Sequence, residues 1–322
     1  MPSKAIGIYL LKRIALLVPL AIAVTFFVFI LQSLIPGGPI AALLQGKSPS
    51  AETIAALQAK FNLDKPLYEQ YWIWLSHAAR GDLGISIASS QSVSAGIGQR
   101  LGVTLILNLV GMCLCLVVGV PMGIIAAYRR GSWADRFVVG LNVFWSGAPH
   151  FVIAIVALFV FGYVLGWFPI VGVGDGSPGS LFSHLVLPCF VMALGPLGFI
   201  TRLTRASMLE NLSEDYVTFA RARGLGFWTV LVRYALRNSL VPIITGIGLV
   251  LIGLLTGTVF VETVFGIPGL GGLLVSSVVN VDFPVVQGLV LIIAAWIVFA
   301  NLIIDAMYAI VDPRVGFGKV AQ

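Results

Sequence analysis

Six long apolar runs separated by short charged segments set the pattern of this chain. They cover roughly residues 12–35, 101–128, 136–166, 181–201, 240–261 and 285–311. A helix needs about 20 apolar residues to cross a hydrocarbon core, and each run meets that length. Lipid offers no partner to open backbone, and the runs are too long and too uniformly apolar for barrel strands. The expected fold class is therefore an all-α membrane protein with six transmembrane helices. The first run, Ile14 to Ile35, outlasts the ~7–15-residue core of a cleavable signal and reads as a retained span.

Composition agrees. Hydrophobic residues make up 59% and charged residues 10% of the chain, against about 25% charged in soluble domains. A net charge of +6 would raise nucleic acid as a partner in a soluble protein. Here the basic residues cluster between the apolar runs, so the partner they imply is membrane lipid, and no nucleic acid is expected. Fourteen of the 19 fall in one alternating set of segments, around Lys4, Arg13, Arg129, Arg136, Arg202, Arg237 and Arg314. The other five lie in one long loop, residues 36–100, and the short loops 167–180 and 262–284 hold none. Both termini are thus expected in the cytoplasm.

The long outer loop has structure of its own. Ser48 and Pro49 can start a helix through Lys60, and Asp64 can cap a second. That second helix carries the stripe Leu67, Tyr71, Trp74, Leu75 and Ala78 and stops at Gly81. The pair is either a cap over the outer mouth that meets a partner or two interfacial helices resting on the bilayer. Gly98 with Gly102, Gly119 with Gly123, and Gly253 with Gly257 are spaced to let helices approach closely. Cys113, Cys115 and Cys189 match no metal or redox spacing and read as small buried hydrophobes.

Segment 202–239 is the most informative. Ser213 can cap a helix of about ten residues that opens with Glu214 and Asp215, ends with Arg221 and Arg223, and is followed by Gly224 and Leu225. Acid first, base last and glycine after is what a helix dipole and its ends favour. Tyr216, Phe219 and Ala220 are available for packing. Such clean termini favour a docking element over a solvated linker.

Catalytic chemistry is sparse. Gln45-Gly46-Lys47-Ser48 resembles the end of a phosphate-binding loop, but Ala41 stands where the pattern needs glycine. Ser146 with His150, and Ser183 with His184, have no orienting acid in the same segment, and His77 stands apart. No metal site is expected. Asp305, about two turns from the cytoplasmic end of the sixth run, and Glu262, at the outer end of the fifth, are the gate or pathway candidates. The rest of the membrane depth is nearly free of charge. That favours a neutral pathway powered from elsewhere over a proton-coupled secondary carrier or an intramembrane hydrolase.

Several blocks, in order, carry a resemblance along nearly the whole chain. They are Leu11-Lys12-Arg13 with Leu34-Ile35-Pro36-Gly37; Arg80-Gly81-Asp82-Leu83-Gly84; Asp215-Tyr216-Val217 with Ala220-Arg221-Ala222-Arg223-Gly224-Leu225 and Arg237-Asn238-Ser239-Leu240-Val241-Pro242; Val261-Glu262-Thr263-Val264-Phe265 through Gly271; and Asp282-Phe283-Pro284 through Gly288, ending near Asp312-Pro313-Arg314. The chain resembles the dipeptide/oligopeptide-type permease subunit of bacterial ABC importers. The third block is similar to that family's cytoplasmic motif, with Gly224 as its glycine and Thr218-Phe219-Ala220 in place of Glu-Ala-Ala. The resemblance implies a type I importer fold in the bacterial inner membrane. It implies that the 213–226 helix docks on an ATPase, and that the partners are two ATPase subunits, a second homologous permease and an extracytoplasmic substrate-binding protein. ATP and magnesium would be held on the partners, with no cofactor in this chain. It divides the chain into a first helix (1–36), an outer loop (37–97), a permease core (98–311) and a cytoplasmic tail (312–322). Peptides are the substrate class it implies, with nickel chelates, glutathione or another small solute as alternatives.

Overall fold

The computed structural model describes residue 15, residues 18–31 and residues 64–311. The helix expected over 49–60, the Gly46 loop and the tail 312–322 lie outside the described residues, as do both ends of the first apolar run. The fold is helical: α1 (Val18–Leu31), α2 (Leu67–Ala78), α3 (Val93–Tyr128), α4 (Trp133–Gly147), α5 (His150–Ala157), α6 (Pro178–Leu212), α7 (Asp215–Ala222), α8 (Arg237–Val264), α9 (Leu270–Val279) and α10 (Phe283–Val311). π-helical stretches extend α5 over Leu158–Val164 and lead into α8 over Thr229–Leu236. The only β pairing among the described residues is the bridge between Ile85 and Ser92.

Among the described residues four helices are long and apolar enough to cross a membrane: α3, α6, α8 with its π-helical lead, and α10. The third apolar run differs from its expectation as one continuous helix. α4 and α5 meet at a 99° bend. Pro149 is the cause: it cannot continue α4, and it holds Ala148 in extended backbone (φ −92°, ψ 130°). Taken together the bent pair makes a fifth candidate span. α9 lies within the segment 262–284, which the sequence presents only as a loop.

The chain divides into two compact units. One contains Leu105–Ile267 and the end of α10 from Phe299. Its centre is α6, two-thirds (67%) of whose most apolar window is buried, against 39% for α3 and for α8 with its lead. Ser177 starts α6 by accepting a hydrogen bond from the Ser180 N–H, with Pro178 in the first turn where its missing donor is not needed. α3 packs on α6 through Gly119 and Gly123. A Cβ on Gly123 would stand 2.6 Å from Thr204 Cβ and 2.7 Å from the Thr201 carbonyl. Of the other small-residue pairs, Gly98, Gly102 and Gly253 face open space among the described residues.

The second unit contains α1, α2, the start of α3 up to Thr104, and Pro268–Val298. Tyr71 is its anchor. Its hydroxyl donates to the Ile22 carbonyl (2.9 Å) and lies 2.8 Å from Thr25 Oγ1, while Phe26 and Phe29 pack edge-on to its ring. Tyr71 of the α2 stripe therefore docks on the first apolar helix, which neither expected role for α2 foresaw, while Leu67 stays exposed. Asp64 does not cap α2; Pro66 holds the N-cap position. Farther along, buried Asp282 accepts from Ser86 Oγ (2.5 Å) and the Ile87 N–H (3.0 Å), tying the loop after α2 to the start of α10.

The α3–α6 contact makes a direct prediction. Gly123→Ala should lower the stability of the purified chain by about 2 kcal/mol, because backbone cannot yield to the new methyl. Gly102→Ala, which meets open space inside the same helix, should not lower stability. Thermal unfolding in detergent checks both, and equal melting temperatures would refute the packing assignment.

Candidate functional site

α7 was expected from its ends, and the ends are where the structure both agrees and differs. Ser213 closes α6 and does not open α7: its hydroxyl donates back to the Glu210 carbonyl (2.7 Å). Glu214 takes the N-cap position in extended backbone (φ −70°, ψ 149°), and no side chain caps the helix. The helix is eight residues long, shorter than the ten its sequence suggests, because α6 claims Ser213. Its C-terminus is as expected. Gly224 sits at φ +73°, its N–H bonds to the Arg221 carbonyl (2.9 Å), and the Leu225 N–H bonds to that of Ala220 (3.3 Å). Those two bonds make a Schellman closure, which favours glycine at its left-handed position.

The faces of α7 divide sharply. Val217 and Ala220 are buried against Val230, with Tyr216, Leu212 and Tyr234 beside them. Phe219, expected to pack with Tyr216 and Ala220, points outward and is 69% exposed. Position 217 shares the inner face with 220, and 219 does not. Phe219 on α7, and Phe227 and Trp228 beyond it, are exposed, as are Arg221 and Arg223. Asp215 is also exposed, in the first turn where the helix dipole favours a carboxylate.

A half-buried polar chain connects α7 to two long helices. The Tyr216 hydroxyl donates to Asn211 Oδ1 of α6 at 2.6 Å. Asn211 Nδ2 donates to the Ser207 carbonyl (2.9 Å) and to Ser239 Oγ of α8 (3.1 Å). Ser239 donates in turn to the Ala235 carbonyl at 2.9 Å. Asn211 and Ser207 were not singled out from the sequence, and Ser239 was only part of a block. Their one signal was spacing: 207 and 211 are one turn apart and share a face of α6. Two turns before Asn211, Arg205 makes a bidentate pair with buried Asp135 of α4, Nε at 2.6 Å and Nη2 at 2.8 Å. Gly131 N–H also donates to that carboxylate (2.9 Å). The base of α6 is therefore pinned to α4 and α8, and α7 hangs from it.

Glu262 and Asp305, the pathway candidates, are both buried and are not brought together. Ile304 packs on Gly248, and the Tyr308 hydroxyl bonds Thr245, so α10 runs antiparallel to α8 there. Glu262 lies fourteen residues beyond Gly248, about 21 Å at 1.5 Å per residue. The three histidines stay apart: His77 lies 3.3 Å from Asp82, and His184 Nδ1 is 2.7 Å from the Ser180 carbonyl. His150 lines a cavity of about 350 Å³ among α5, α6 and α8, with Met192, Gly195, Thr256 and Gly257. The side chain of Ser146 is outside the described set.

Sequence comparisons converge on one family. The profile described as binding-protein-dependent transport system inner membrane component matches residues 119–317, and the profile of its N-terminal part matches 7–108. A Brucella abortus protein named for a peptide transport system permease is 39% identical over 310 residues, covering 96% of this chain and 98% of the relative. A Sinorhizobium fredii protein named for a peptide ABC transporter permease is 35% identical, covering 97% and 100%. The glutathione transport system permease protein GsiC of Escherichia coli is 36% identical, covering 96% and 99%. Among solved structures, a chain of the inward-facing MetNI methionine ABC transporter superposes with a TM-score of 0.56 at 16% identity, over 67% of this chain and 96% of its own. That likeness shows the fold.

The polar chain carries its own prediction. Asn211→Ala should loosen α7 while leaving the core of α6 intact, because one or two net hydrogen bonds are lost. Amide exchange over 215–222 should accelerate about 5–30-fold. Unchanged exchange there would show that α7 is held by Val217 and Ala220 alone.

Proposed function

The chain belongs to the family of binding-protein-dependent transport system inner membrane components, and on that premise we propose that it forms half of the translocation pathway of an ATP-driven peptide importer. As a member of that family it is a multi-pass protein of the bacterial inner membrane, a transport subunit and not an enzyme. Its relatives' names point to peptides as cargo; glutathione, named for one of them, is itself a short peptide. The proposed partners are two ATPase subunits holding ATP and magnesium, a second homologous permease, and an external substrate-binding protein. The proposed topology has six spans with both termini in the cytoplasm, a permease core from about residue 98 to 311 and a short tail after it.

The observation that supports this reading best is the two-faced helix α7. Its outer face offers the exposed Phe219 and Arg221, with Arg223 at its C-terminus. Its inner face is fixed to α6 and α8 through Tyr216 and the pair Val217 and Ala220. A helix built this way can take a push on one side and pass it to two spans on the other. The proposed docking residues are Phe219, Arg221 and Leu225, with Glu214 and Asp215 setting the entry to the helix and Gly224 its exit. Closure of the ATPases would shift α7 as a rigid element, and the spans would switch between inward- and outward-facing arrangements. Glu262 toward the outer end of α8 and Asp305 toward the cytoplasmic end of α10 are proposed as gate residues at opposite ends of the path.

Two outcomes follow. Phe219→Glu should abolish recovery of the ATPase subunits in a mild-detergent pull-down while the chain still inserts, because a charge replaces the exposed apolar anchor. Undiminished recovery would refute the docking face. A cysteine replacing Gly226, which is exposed, should react with an impermeant maleimide only in inside-out vesicles; reaction in right-side-out vesicles would reverse the topology.

A further inference from the structure

A second feature lies on the segment that follows α7. The π-helical stretch Thr229–Leu236 and the first turn of α8 line an open groove of about 630 Å³. Trp228, Val232, Leu236 and Leu240 form its apolar floor and wall, and Arg233 and Arg237 its polar edge. No carboxylate lines it. Neither guanidinium has a hydrogen bond or ion pair among the described residues, and both are exposed. Trp228 is 71% exposed and Val232 51%.

Depth identifies the occupant. In the proposed topology α8 enters the hydrocarbon near Leu240. Arg237 then lies about 4.5 Å and Arg233 about 10 Å outside that edge, at 1.5 Å per residue. The headgroup layer occupies about 5–7 Å on each side of the hydrocarbon core, and arginine side chains reach along the helix toward it. Arg237 stands at the headgroup level with Leu240 below it toward the acyl chains, Arg233 stands one turn farther out on the same groove, and Val232 and Trp228 lie beyond it on the cytoplasmic side. We propose that this groove binds the phosphodiester headgroup of an anionic phospholipid of the inner leaflet, with Arg233 and Arg237 as its ligands. A bound lipid there would brace the segment joining α7 to α8, alongside the hydrogen-bonded chain through Ser239.

The test uses the full chain in phosphatidylcholine vesicles containing a small fraction of photoactivatable phosphatidylglycerol. Cross-links should concentrate at residues 228–240. They should fall about fivefold for Arg233→Gln and about 25-fold for the double change Arg233→Gln with Arg237→Gln. The double change to lysine should keep most of the labelling, since it keeps both charges. Equal labelling by photoactivatable phosphatidylcholine, or no loss in the double glutamine variant, would overturn the proposal. Complete competition by inorganic phosphate would assign a soluble-anion site instead. Cross-links to a partner subunit replacing those to lipid in the assembled transporter would assign a protein interface. The readout needs neither ATP nor substrate, so its failure leaves the transport reading standing. A reversed orientation would appear separately, in the Gly226 labelling.

Discussion

The hydrogen bond from Tyr216 to Asn211 joins a short surface helix to the end of the long helix α6, and the proposed mechanism depends on that junction being stiff. Eight residues of helix have almost no stability of their own in water. α7 persists because its inner face is held twice: by Val217 and Ala220 against Val230, and by Tyr216 through Asn211 to Ser239. The second hold is directional. It engages α6 and α8 together, so displacement of α7 cannot be absorbed by one of them alone. Asn211 is half-buried and bonds both neighbours at once, so a change at one end of the chain is felt at the other.

The same logic extends up α6. Its base is clamped by the Arg205–Asp135 pair to α4. Next to that clamp, Thr201 and Thr204 accept α3 at distances that only a glycine such as Gly123 permits. Close backbone packing of this kind transmits movement because there is no slack in which to lose it. α4 and α5, by contrast, break at Pro149, and two π-helical stretches interrupt the regular ladder. Such irregularities are where a helical bundle bends when it switches. One of them, Thr229–Leu236, directly follows α7 and carries the proposed lipid groove.

The sequence disclosed what is set by local rules. Gly224 signalled the C-terminus of α7, because a left-handed closing residue favours glycine in any context. Four of the apolar runs gave helices long enough to cross a membrane among the described residues, because lipid leaves the backbone no alternative. What it did not disclose is set by competition and by tertiary contact. Ser213 has the right chemistry to cap α7, yet it lies within reach of the Glu210 carbonyl and closes α6 instead. Asp64 looked like a cap for α2, and Pro66 took the position. Phe219 is as apolar as Tyr216, and only the register against Val230 decides which one turns outward. Asn211 and Ser239 are distant in sequence and unremarkable alone, so their meeting could be seen only once α6 and α8 were packed.

The most direct test of the account is a double-mutant cycle between Tyr216 and Ser239, which contact Asn211 from opposite sides. Transport per ATP hydrolysed would be measured in the reconstituted transporter for Tyr216→Phe, Ser239→Ala and the pair. A working relay predicts strong non-additivity, with an interaction of about 0.5–3 kcal/mol, because breaking either end already opens the chain. Losses that simply add would mean that the two residues act independently, and that force from α7 reaches the spans by another route.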